Sequence, residues 1–122
     1  MRRSPRLAAA LAAGVLLLAA LPGRAPAAEG VAVTVKAGDL YFDPKALEVS
    51  AGDVTFTVVN DGAIEHNFVV RDARGATVAE IPVIAPGATE RVTARLAAGA
   101  YRIVCTFPGH AEAGMTGTLT VE

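Results

Sequence analysis

Tyr101-Arg102-Ile103-Val104-Cys105-Thr106-Phe107-Pro108-Gly109-His110-Ala111-Glu112-Ala113-Gly114-Met115-Thr116-Gly117-Thr118-Leu119-Thr120-Val121 runs to within one residue of the chain end. Its opening, Tyr101 to Cys105, is a β-branched and aromatic run, and its close, Gly117 to Val121, alternates polar and apolar residues with the period of a strand. Pro108-Gly109 interrupts the two as a turn signal. The stretch therefore predicts strand, loop, strand. Upstream the same grammar repeats. Val31, Val33 and Val35 alternate with Ala32, Thr34 and Lys36. Leu47-Glu48-Val49 leads through the turn cluster Ser50-Ala51-Gly52-Asp53 into Val54 to Val59. Asn60-Asp61-Gly62 punctuates before a run from Asn67 to Arg71, and Asp72-Ala73-Arg74-Gly75 turns that into Thr77 to Ile84. Pro86-Gly87 precedes Arg91 to Leu96, and Ala98-Gly99 leads back to Tyr101. No stretch carries a helical stripe. Seven or eight short strands with turns about every 8–12 residues predict an all-β, Greek-key antiparallel sandwich. Asp39 to Lys45 reads as an irregular crossover whose Tyr41 and Phe42 cap the core, with no chemical role.

The front end has a different composition. Met1 to Arg6 is cationic, Leu7 to Leu21 is uncharged and almost all Leu, Ala and Val, and Pro22-Gly23 is followed by the small residues Ala25-Pro26-Ala27-Ala28. That is the three-part layout of a secretory signal peptide over residues 1–28, with cleavage expected after Ala27 or Ala28. Its apolar run, at about 1.5 Å per residue, falls short of a hydrocarbon core of about 30 Å, which argues against stable membrane insertion. The domain expected over residues 29–122 then lies in an extracytoplasmic, oxidising compartment such as the periplasm. A chain of 122 residues in all leaves room for one domain.

Charge follows the same division. Four of the 11 basic residues (Arg2, Arg3, Arg6 and Arg24) lie in the leader, and all 12 acids lie from Glu29 onward. The domain keeps 7 basic and 12 acidic residues, a net charge of −5. Nucleic-acid binding, which needs clustered Lys and Arg, is excluded as a leading idea.

Beyond the leader the chain holds one Cys, one Met and two His: Cys105, Met115, His66 and His110. Taken singly, each reads as packing or surface: a buried thiol, a gap-filling thioether, ordinary imidazoles. Together they suit a soft metal. One Cys closes no internal disulfide, and a lone exported thiol calls for another explanation. Two imidazoles and a thiolate with a weak axial thioether describe a copper electron-transfer site. Zinc favours more thiolates or a carboxylate, and calcium and magnesium favour oxygen.

The stretch from Cys105 to Val121, with His66-Asn67 after a loop and the turns Ala51-Gly52-Asp53-Val54 and Pro86-Gly87, resembles the cupredoxins. These are the blue type 1 copper proteins of the plastocyanin and azurin superfamily. The four-residue gaps on either side of His110 are most similar to the auracyanin and rusticyanin loops. The resemblance implies His66, Cys105 and His110 as equatorial ligands of one copper per chain, with Met115 axial. It implies that the Asn67 side chain ties its strand to Thr106 and that the Asn67 N–H donates to the thiolate. Glu65 and Glu112 flank the ligands and read as solvated groups.

The function expected is that of a non-enzymatic, monomeric carrier of single electrons between transient redox partners. Ala63, Ile64, Pro108, Gly109, Ala111 and Ala113 form the expected docking patch around His110. The competing reading is extracytoplasmic copper sequestration or delivery, against which stands the lack of a Met-rich or His-rich tract.

Overall fold

The computed structural model describes residues 10, 12–15 and 30–122; the expected signal peptide falls almost wholly outside them. The described residues contain no helix long and apolar enough to cross a membrane. Nine strands are present among them. They are β1 (Val31–Gly38), β2 (Tyr41–Asp43), β3 (Ala46–Val49), β4 (Gly52–Asn60), β5 (His66–Arg71), β6 (Thr77–Ile84), β7 (Thr89–Leu96), β8 (Gly99–Val104) and β9 (Thr116–Val121). One sheet has the order β2-β1-β4-β7 and the other β3-β9-β8-β5-β6.

Alternation builds the core. From β4, Val54, Phe56 and Val58 are fully buried, and from the facing sheet Phe68, Val70, Ile103 and Leu119 meet them. Successive strand side chains point to opposite faces, so the residues between them (Thr55, Thr57, Thr118, Thr120) face outward. Three aromatic rings hold the centre: Phe68 meets Phe42 edge-on at 5.7 Å and Phe56 at 5.3 Å between centroids. At the β7–β8 corner the Tyr101 hydroxyl donates to Ala97 O at 2.7 Å, fixing where the strand that leads to Cys105 begins.

The sandwich expected from the sequence is the one observed, with two differences in detail. The sheets are mixed rather than wholly antiparallel, because β1 runs parallel to β4 and β3 parallel to β9. Alternation reports which residues face inward but not the direction of the neighbouring strand. The segment from Asp39 to Lys45 is also more ordered than an irregular crossover, since β2 pairs back on β1 through Gly38↔Tyr41 and Lys36↔Asp43. Phe42 caps the core at 3% exposure, whereas Tyr41 is 48% exposed and lies against Gly38, where a Cβ would collide with its ring.

Candidate metal centre

The loop between β8 and β9 is folded by its own backbone. Cys105 follows Ile103 by two positions, faces the core and is fully buried. Its N–H donates to Met115 O at 3.1 Å, joining the two ends of the loop. Phe107-Pro108-Gly109-His110 closes a turn in which the His110 N–H donates to Phe107 O at 3.0 Å. Gly109 has φ of 81°, the value at the third position of a type II turn, where a side chain is strained. The next turn is closed by Ala113 N–H to Gly109 O at 3.1 Å and Met115 N–H to His110 O at 3.0 Å. His110 is thereby held between two turns and half-buried.

His66 comes from the other side of the same end. The loop after β4 hangs on Asn60, which is fully buried. Its Nδ2 donates to Ile64 O and to Ile84 O, both at 2.8 Å, and its Oδ1 accepts the Gly62 N–H at 3.0 Å. That network fixes the approach to β5. A shift of register against β6 between His66 and Phe68 then breaks strict alternation. His66, Asn67, Phe68, Val69 and Val70 are consecutively buried, so both faces of β5 are covered. Bulges re-aim side chains, and here the first residue of the strand turns its ring towards the β8–β9 loop.

Three donors converge. His66 Nδ1 lies 3.3 Å from His110 Nδ1, and Cys105 Sγ lies 3.4 Å from the same His110 nitrogen. Ligand atoms of His66, Cys105 and His110 all lie within 4.8 Å of one another. The two imidazole rings stand 5.2 Å apart at 64°, and Phe107 flanks the His110 ring at 5.8 Å. Met115, the fourth candidate ligand, is fully buried where the loop rejoins β9. Asn67 Nδ2 donates to Thr106 Oγ1 at 2.6 Å, and the Thr106 N–H donates to Asn67 Oδ1 at 2.8 Å. No described hydrogen bond joins the Asn67 N–H to the Cys105 sulfur. Glu65 and Glu112 are exposed and stand outside the cluster of donors. Of the candidate patch, Ala63, Ile64, Pro108, Gly109 and Ala113 are exposed and Ala111 is half-buried.

Sequence reading missed Asn60 and Asp39. Asn60 was legible only as a turn residue, and Asp39 lies in a segment assigned no chemical role. Asp39 Oδ1 stands 3.4 Å from His66 Nε2. Loss of hydration on burial holds the His66 ring below its ordinary value of 6.5; Asp39 opposes this, and the neighbouring His110 reinforces it. A depressed folded-state value has a definite sign. Above about pH 6.5 the ring is neutral in both folded and unfolded chains; below it the unfolded chain takes a proton that the folded one resists. The metal-free protein is therefore expected to lose stability as pH falls from 7 to 5, at up to about 1.4 kcal/mol per pH unit from this site. Denaturant midpoints measured across that range check it, and a flat profile would contradict the buried, neutral ring.

The donor set fits copper. A buried thiol and two imidazoles suit a soft or borderline ion, and no carboxylate belongs to the cluster to recruit a hard one. The His66 Nε2 is buried with no hydrogen-bond partner, so protein hydrogen bonding alone does not account for this imidazole. Comparison with known proteins agrees with this chemistry. The family of copper binding proteins of plastocyanin/azurin type matches residues 29–122. Plastocyanin of Prochlorothrix hollandica is 37% identical over 116 residues, covering 92% of this chain and 86% of that protein. The copper-resistant cuproprotein CopI of Rubrivivax gelatinosus is 32% identical over 118 residues, covering 83% of this chain and 72% of that protein. Among solved structures, dithionite-reduced auracyanin of Roseiflexus castenholzii superimposes with a TM-score of 0.71 at 26% identity, over 75% of this chain and 97% of that one. The chain belongs to the plastocyanin/azurin family of copper-binding proteins, the cupredoxins, and its cofactor is a type 1 copper ion.

Proposed function

We propose that the protein is an exported, non-enzymatic carrier of single electrons, with His66, Cys105 and His110 as equatorial copper ligands and Met115 as the axial one. The observation that carries this reading is the convergence of three donor atoms within 4.8 Å at one end of a sandwich. Bound copper supplies a one-electron couple between Cu(I) and Cu(II). The chain's own residues supply the rest. Cys105 offers a buried sulfur donor fixed by the strand before it and by the Met115 carbonyl. His66 is held from both sides, by the Asn60 loop and by β5, so its ring has little room to move. Ligands fixed before metal arrives need little rearrangement between oxidation states, and this favours fast electron exchange. His110 is half-buried, and electrons would leave by a short path through its edge to a small apolar surface made by Ala63, Ile64, Pro108, Gly109, Ala111 and Ala113. Weak redox encounters use small surfaces of this kind. The signal peptide expected over residues 1–28 supports an extracytoplasmic location.

Copper sequestration or delivery is the second reading, favoured by the similarity to CopI. Voltammetry of the copper-loaded protein separates the two. A carrier gives a fast, reversible one-electron wave, and Met115→Gln lowers its midpoint while copper stays bound, because amide oxygen favours Cu(II) more than thioether does. A sluggish wave would support the storage reading, and a midpoint unmoved by Met115→Gln would remove Met115 from the ligand set.

A further inference from the structure

Asp39 occupies the turn between β1 and β2, far from His66 in sequence, yet its carboxylate is built into the wall of the metal centre. The Ala63 N–H donates to both of its oxygens, at 2.9 and 3.1 Å. Gly62 has no room for a Cβ, because Asp39 Oδ1 fills that space. The turn itself is strained at Leu40, which has φ of 68°, a region a leucine rarely adopts. Three features of the backbone thus hold one carboxylate against the loop that delivers His66. From that position Oδ1 lies 3.4 Å from His66 Nε2, a nitrogen that is otherwise buried without a partner. The separation exceeds that of a well-formed N–H···O bond, so its direction comes from the clamp on the carboxylate rather than from the contact alone.

The opposite nitrogen of the ring, Nδ1, faces His110 Nδ1 at 3.3 Å. A neutral imidazole carries its proton on one nitrogen and a free lone pair on the other, so whatever holds the proton decides which nitrogen can bind metal. We propose that Asp39 is the positioning residue of this centre: its clamped carboxylate keeps the His66 proton on Nε2 and leaves the Nδ1 lone pair facing the space shared with Cys105 and His110. The proposal rests on the reading of His66 as a ligand. A carboxylate acceptor behind a ligating ring also increases its donor strength, which favours the more highly charged Cu(II) and lowers the reduction potential.

The test begins without metal. Long-range proton–nitrogen correlation spectra of the ¹⁵N-labelled, metal-free protein above neutral pH should show His66 as a single tautomer protonated at Nε2. In Asp39→Ala a measurable fraction should move its proton to Nδ1, where His110 Nδ1 stands ready to accept. Asp39→Asn keeps an acceptor for the Ala63 N–H but loses the charge. Its copper-loaded form should hold about tenfold more Cu(I) at the same applied potential, equivalent to a midpoint ~59 mV higher for one electron. A purely structural role predicts no such shift, because the loop contact survives. An Nδ1–H tautomer in the unmodified protein, an unchanged tautomer in Asp39→Ala, or an unmoved midpoint in Asp39→Asn would each overturn the proposal. Should Asp39→Ala fail to fold, the other two measurements decide. The tautomer is read in the absence of copper, so a wrong ligand assignment, seen as a missing thiolate band in the unmodified protein, is separable from a wrong role for Asp39.

Discussion

Copper-loaded Cys105→Ser is expected to lose the intense visible absorption of a type 1 centre altogether while the sandwich stays folded. The band requires charge transfer from a thiolate to Cu(II), and residue 105 is the single cysteine of the chain. A serine hydroxyl is a harder donor and does not ionise near neutral pH, so the transition has no source. His66 and His110 remain 3.3 Å apart through their Nδ1 atoms and can still hold copper as a weakly coloured site. The substitution is nearly isosteric. Its cost to folding comes from burying a hydroxyl in place of a thiol, about 1–3 kcal/mol if the hydroxyl finds no partner. Absorption titration with Cu(II) and far-UV circular dichroism read the two halves of the result. A retained intense band would remove Cys105 from the centre.

Phe68→Ala carries the largest expected cost to stability. The ring is fully buried, packs on Phe42 and Phe56, and sits on β5 between β6 and β8. Truncation removes its transfer energy and leaves a cavity that strands on both sides prevent from collapsing, a loss of about 3–5 kcal/mol. Against a total stability of about 5–15 kcal/mol for a domain, that is a large share. Denaturant unfolding of the metal-free protein measures it. Because Phe68 stands two residues beyond His66 on the same strand, copper affinity should fall as well. A loss below about 1 kcal/mol would mean that the three-ring cluster is not the centre of the core.

Much of the architecture is legible in the sequence alone, and the reasons are local. Val31, Val33 and Val35, or Thr118 to Val121, advertise a strand with one buried face because alternation is a property of the strand itself. The strand that the sequence predicts from Thr77 to Ile84 has the limits of β6. The four candidate ligands were conspicuous through scarcity, since a chain with so few sulfur and imidazole groups draws attention to each. What could not be read was non-local. The parallel pairing of β1 with β4 depends on which strand lies alongside, and β2 exists because Phe42 is drawn onto Phe68 from the opposite sheet. Five consecutive buried residues in β5 hide the period of two, because this inner strand is covered on both faces even where Phe68, Val69 and Val70 keep regular register against Ile81, Glu80 and Ala79. Asn60 reads as turn punctuation and Asp39 as part of an irregular crossover, because their importance lies in what they reach across space: Ile64, Ile84, Ala63 and His66.

The most direct test of the central claim, that Cys105, His66 and His110 hold one copper ion between them, is a titration of the metal-free protein with Cu(II) followed by absorption and electron paramagnetic resonance. The arrangement predicts saturation at one ion per chain, an intense blue or green colour and a narrow parallel hyperfine splitting. A pale solution with the wide splitting of ordinary square-planar Cu(II) would contradict it.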